Sequence, residues 1–109
     1  MNLNNLLKDA SDSLKQIYGD DLVKVILYGS YARGDYHADS DIDILALVNY
    51  DDKTIWKYRD KLVSAMVNLD DKYSVYTSIK TNNIDHFNYW KDDMPYYKNV
   101  IKDGREINV

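Results

Sequence analysis

Residues 27–35 read Leu27-Tyr28-Gly29-Ser30-Tyr31-Ala32-Arg33-Gly34-Asp35, and four residues further on the chain continues Ser40-Asp41-Ile42-Asp43-Ile44-Leu45. The first piece closes an apolar, β-branched run, Leu22 to Tyr28, which predicts a strand halted at Gly29. The second opens another run, Ile42 to Val48, with Asp41 at its mouth and Asp43 inside it. Residues i and i+2 of a strand share a face, so Asp41 and Asp43 are expected side by side. Their Cβ atoms should stand roughly 6 to 7 Å apart, from a rise of about 3.3 Å per residue. Two carboxylates this close repel one another and resist ionisation. A hard divalent cation such as Mg²⁺ relieves the repulsion by taking oxygens from both.

An anion site is expected next to them. Glycine lets backbone amides approach a ligand closely, and a helix opening at Ser30 presents free N–H groups and a positive dipole end. The Ser30 hydroxyl adds a donor at the same point. An anion-binding bend thus ends one strand while a carboxylate pair opens the next, the juxtaposition that a metal–nucleoside triphosphate requires. A plainer reading of the acids stands beside this one. Asp-x-Asp arises by chance in a chain with 17 aspartates, and an aspartate before a strand is commonly a turn former. It is Gly29-Ser30 after the preceding strand that favours the metal.

Outward from this centre, Leu3, Leu6, Leu7, Ala10, Leu14, Ile17 and Tyr18 fall at helical spacing and Gly19 ends the helix. Ser30 to Gly34 predicts a short helix, and Asp35 to Ser40 a polar loop. Asp51 and Asp52 suit the start of a second long helix with the apolar face Ile55, Leu62, Val63, Met66 and Val67. Tyr73 to Ile79 is the third strand predicted. Two short helices follow, Ile84 to Lys91 and Pro95 to Lys102, with Pro95 suited to a first turn and Gly104 to a C-terminal cap. This alternation predicts an α/β fold, a small mixed β-sheet packed against helices, in one domain over 1–109.

Composition bounds the function. The chain has 109 residues, no cysteine and a formal net charge of −4. It therefore carries neither disulfide nor thiolate zinc site, and no broad electropositive surface for nucleic acid. A small phosphorylated ligand remains compatible, since a metal ion supplies positive charge locally. No stretch approaches the roughly 20 apolar residues that cross a bilayer. The N-terminus is amphipathic rather than a basic end followed by an apolar run, so a cytoplasmic protein is expected. The edges of so small a sheet make a homodimer a further expectation.

Gly29-Ser30, ten residues, then Asp41-Ile42-Asp43 resembles the signature of the polymerase β-like nucleotidyltransferase superfamily. The size of the chain and its Gly-Ser-Tyr-Ala-Arg-Gly run resemble the minimal nucleotidyltransferases (MNT), often the antitoxin half of a pair with a HEPN-domain toxin. The ending Pro95-Tyr96-Tyr97-Lys98-Asn99-Val100-Ile101-Lys102-Asp103-Gly104-Arg105-Glu106 is similar to theirs too. The resemblance implies a nucleotidyltransferase-like fold in which Gly29 and Ser30 hold the triphosphate of ATP. Asp41 and Asp43 would ligate Mg²⁺ as the catalytic pair, and AMP would pass to a hydroxyl, on a partner protein in a chain too short for its own acceptor pocket. Arg33, one helical turn after Gly29, would reach a phosphate or Asp43; a structural ion pair is its plainer role.

One departure bears on activity. Active superfamily members usually carry a third carboxylate on a later strand, and Tyr73 to Ile79 contains no acid. Asp70 and Asp71 would serve only under a different register; ending a helix is their more ordinary task. Loss of the third acid weakens metal binding and removes the obvious general base. It favours the alternative of a weak or inactive nucleotide-binding module that neutralises a HEPN-type partner by covering it. Ser40 and His37 are read as loop-forming, His86 carries no assignment, and Trp56, Trp90 and the tyrosines are core or rim before they are an adenine platform. A sugar-nucleotide transferase is the poorer reading, because it leaves Gly29-Ser30 without a role.

Overall fold

The side chain of Asn2 accepts the Asn5 N–H at 3.1 Å and starts α1 (Leu3–Tyr18). Leu6, Leu7, Ala10, Leu14 and Tyr18 form its buried stripe, and Gly19 ends it at φ 59°. The computed structural model describes residues 1–107. After a single 3₁₀ turn at Gly19–Asp21 come β1 (Leu22–Tyr28), α2 (Ser30–Arg33) and β2 (Ile42–Val48), within the bounds expected from the sequence. α3 (Asp52–Lys57), α4 (Arg59–Tyr73), β3 (Thr77–Asn83), α5 (Ile84–Trp90), α6 (Pro95–Asp103) and β4 (Arg105–Ile107) complete the chain.

The sheet is mixed, in the order β3-β2-β1-β4. β1 runs antiparallel to β2 and β4, and β2 runs parallel to β3. β2 is central, and its Ile42, Ile44, Ala46 and Val48 bury against Leu6, Leu14, Leu62 and Leu69 of α1 and α4. Its alternate residues Leu45 and Leu47 bury on the other face against Ile84, Phe87, Tyr97 and Val100 of α5 and α6. Asp43 belongs to this second set by alternation, one step outside the apolar layer. A carboxylate at the open end of a core strand is costly to keep charged, so its presence calls for a chemical reason.

Three expectations need correction. The helix after Asp51 is two helices, broken at Tyr58. Leu62, Met66, Leu69 and Tyr73, spaced i, i+4, i+7, i+11, face the sheet, while Val63 and Val67, expected inside, lie exposed one position round the helix. The third strand is Thr77–Asn83 rather than Tyr73 to Ile79. α4 continues to Tyr73, Ser74 turns the chain at φ 54°, and the Asp70 carboxylate accepts the Thr77 N–H at 2.7 Å and its hydroxyl at 2.8 Å. β4 was not anticipated. Gly104 caps α6 as expected, and it is also a gap that β4 needs: a Cβ there would overlap the Val100 carbonyl and stand 2.8 Å from Ile26 Cγ2. Among the described residues, no helix is long and apolar enough to cross a membrane.

Candidate functional site

The antiparallel register pairs Tyr28 with Asp43, so the bend after β1 falls beside the carboxylate pair before and within β2. Gly29 has φ 75° and ψ −158°, a conformation that is essentially glycine's alone. It also has no room for a side chain. A Cβ would overlap Asp43 Oδ2 and lie 3.3 Å from its Cγ. The backbone of the bend is thus packed directly on the Asp43 carboxylate, and the expected neighbourhood of bend and acid pair is met.

The Gly29 carbonyl accepts the N–H groups of Ala32 and Arg33, each at 3.1 Å, and the Ser30 carbonyl those of Gly34 and Asp35. The first-turn amides left without a helix acceptor are those of Ser30 and Tyr31. α2 has only four residues, so the amides and the Ser30 hydroxyl, rather than a macrodipole, are what it offers an anion.

Asp41 is exposed and Asp43 half-buried. Burial pushes the Asp43 carboxyl above its ordinary range, and the Asp41 charge pushes it further; Lys80 and Arg33 pull the other way. The pair therefore repels as anticipated. Their hard oxygen donors, two residues apart and beside a side-chain-free bend, suit a small divalent cation. Among the described residues no cluster of three His, Cys, Asp or Glu side chains is poised for a metal. On the corrected β3 the register sets Ser78 opposite Asp43, and no residue of that strand is acidic. Asp70 lies inside α4 rather than ending it, and its carboxylate is engaged with Thr77.

Arg33 is held by acids on two sides, Nε 3.1 Å from Asp35 and Nη1 2.9 Å from Asp103. Ser40 Oγ accepts the His37 N–H at 3.0 Å, and His37 Nδ1 accepts from Asp39, so both shape the loop. His86 Nδ1 pairs with the Tyr97 hydroxyl at 2.7 Å. Trp56 is exposed with Arg59 stacked over it, and Trp90 packs on Tyr89, neither drawn into the acid pair's surroundings by any contact. Sequence reasoning missed Tyr28, Lys80 and Tyr96 as neighbours of Asp43. The Tyr96 hydroxyl donates to that of Tyr28 at 2.9 Å, and Lys80 Nζ lies 5.0 Å from the Tyr96 ring centre. Burial raises both phenols above their ordinary range, with Asp43 adding to the rise. The strand period would have put Lys80 on the Asp43 face had the start of β3 been known.

Comparison with known proteins agrees with this geometry. The family model of the nucleotidyltransferase domain matches residues 7–108. A curated Methanocaldococcus jannaschii protein, provisionally named a protein adenylyltransferase, is 34% identical over 107 residues, covering 98% of this chain and 99% of its own. A chain of a toxin–antitoxin crystal structure with AMP-PNP superposes with a TM-score of 0.55 at 21% identity, covering 92% of this chain and 70% of that one. A chain from the complex of a tri-AMPylated Shewanella oneidensis HEPN toxin with its MNT antitoxin superposes with a TM-score of 0.52 at 15% identity, covering 94% and 69%. At such identities the two superpositions speak for the fold alone.

Proposed function

This chain belongs to the nucleotidyltransferase domain family, and on that premise we propose that it is a minimal (MNT) member that transfers AMP from Mg-ATP to a hydroxyl group of a partner protein. The observation that carries the reading is the packing of the Gly29 backbone on the Asp43 carboxylate, which joins an amide-rich bend to an acid pair. Asp41 and Asp43 would hold Mg²⁺, which when bound stabilises negative charge developing on the triphosphate. The amides of Ser30 and Tyr31 and the Ser30 hydroxyl bind phosphate oxygens and orient the chain of phosphates. Arg33 adds positive potential from the same short helix while tied to Asp35 and Asp103.

In the reaction, the acceptor oxygen bonds to the α-phosphorus as the bond from that phosphorus to the bridging oxygen breaks. Pyrophosphate departs with that electron pair, and the acceptor's proton is released to water. The curated relative's name, AMP-PNP in one solved neighbour and the AMPylated HEPN toxin in another support the same nucleotide and a HEPN-type acceptor. The cytoplasm supplies the ATP that the proposed reaction consumes, and we place the protein there on that ground.

The test is incubation of the chain with labelled ATP, Mg²⁺ and the HEPN-type product of a neighbouring gene. Wild type should label that product and an Asp41→Asn/Asp43→Asn variant should not; equal labelling refutes the reading. A second reading is favoured by Ser78, a hydroxyl rather than a carboxylate opposite Asp43 on the neighbouring strand. In it the chain neutralises its partner by binding alone. Partner binding that survives the double substitution, with no label transferred by wild type, supports that module instead.

A further inference from the structure

Resting on the nucleotide reading above, one positive charge on the Asp43 face has no assigned task. The parallel register sets Asp43 beside Ser78 and Leu45 beside Lys80. Strand alternation then puts Asp43, Ser78 and Lys80 on one face of the sheet. Tyr28 joins them from β1 and Tyr96 from α6, the two phenols bonded to each other at 2.9 Å. The Lys80 ammonium stands 5.0 Å from the centre of the Tyr96 ring. The electron-rich ring face attracts it and keeps the long side chain along the sheet.

The two cations that act on Asp43 differ in how free they are. Arg33 is committed to Asp35 and Asp103. Lys80 is exposed and, among the described residues, makes no ion pair. An exposed ammonium near a carboxylate it does not touch, beside free amides, is suited to an anion that bridges them. A lysine serves that task as a compact point charge.

We propose that Lys80 is a phosphate-binding residue of this site, holding the polyphosphate of the nucleotide beside Asp43 on the side where a third carboxylate is missing. Two carboxylates and one ammonium draw less divalent charge than three carboxylates would. Part of the affinity for polyphosphate therefore survives without metal.

Calorimetric titration of the full chain with AMP-PNP, in Mg²⁺ and in EDTA, tests this. Lys80→Met keeps the apolar stem over Tyr96 and removes the charge; Lys80→Arg keeps the charge. Wild type should bind AMP-PNP in EDTA, Lys80→Met should weaken that binding about tenfold, and Lys80→Arg should stay within about threefold of wild type. Asp43→Asn should keep the binding in EDTA and lose the gain from Mg²⁺. If Lys80→Met binds like wild type in both buffers while Asp43→Asn loses the Mg²⁺ gain, Lys80 is not a ligand and the nucleotide reading stands. If Asp43→Asn keeps the full gain from Mg²⁺ while Lys80→Met is impaired, the anion contact stands and the metal reading falls. Wild type that fails to bind AMP-PNP at all overturns both.

Discussion

Replacing Gly29 by alanine should damage stability and nucleotide binding together, for separable reasons. Gly29 sits at φ 75° and ψ −158°, where a residue with a Cβ costs of order 1–3 kcal/mol. The new methyl group would also overlap Asp43 Oδ2, so the carboxylate must swing away or the bend must open. Gly34 supplies the control. Its φ is 86°, with ψ 7° in the left-handed region, and a Cβ there meets nothing within 4 Å. Gly34→Ala therefore pays the backbone term alone, about 1–2 kcal/mol. At about 4–8 °C per kcal/mol for a domain near this size, Gly34→Ala should lower Tm by roughly 4–16 °C. Gly29→Ala should lower it more, and it should also abolish Mg-AMP-PNP binding while Gly34→Ala leaves binding unchanged. Adding Asp43→Ala should recover part of the stability lost in Gly29→Ala, because the clash goes with the carboxylate, but none of the binding. The reasoning fails if Gly29→Ala loses no more stability than Gly34→Ala and still binds nucleotide.

Other outcomes follow from single contacts. Asp70→Ala leaves the Thr77 N–H without its acceptor and should cost about 1–3 kcal/mol in denaturant unfolding; if it instead removes Mg²⁺-dependent binding, Asp70 is the third acid after all. Leu14→Ala opens a cavity under the fully buried stripe of α1 and should cost about 2–5 kcal/mol by the same measurement. Ser78→Asp should restore a third carboxylate beside Asp43 and steepen the Mg²⁺ dependence of AMP-PNP binding, with an unchanged titration curve counting against the register. Asp9 bonds Lys72 at 2.7 Å and also the Tyr73 hydroxyl, and the Lys72 contact first, then Tyr73, hold its carboxyl below the ordinary value of 3.8. A depressed folded pKa gives stability that is present above about pH 4 and lost as pH falls through the folded value. The stability gap between wild type and Asp9→Asn should thus be full at pH 7 and close below pH 4; a gap constant down to pH 2 contradicts the assignment.

The parts of this molecule that a reader of the sequence reaches first are those whose partners lie close along the chain. Gly29, Ser30, Asp41 and Asp43 are joined by one antiparallel pairing, so strand period and glycine placement suffice to bring them together. The third strand shows where that stops. Tyr73, Val75 and Tyr76 are good strand formers, yet Lys72 and Tyr73 bond Asp9, more than sixty residues back, and this pins the last turn of α4 to α1. Ser74 then takes the left-handed turn, and the strand begins four residues later than local preference says. That shift is what hid Lys80. A strand beginning at Tyr73 implies no register against β2, whereas one beginning at Thr77 sets Ser78 on Asp43 and Lys80 two residues beyond, on the same face. Arg33 is a parallel case for one of its two acids: Asp35 is local, but Asp103 is seventy residues distant and its helix ends against β4. The charge balance around Asp43 is consequently a tertiary property. The acids come from one local motif, and the cations that temper them come from α2 and β3, with the ring that steadies Lys80 supplied by α6. Substitution of the acids should accordingly remove the gain from Mg²⁺, while substitution of Lys80 or Tyr96 should grade the binding that remains without it.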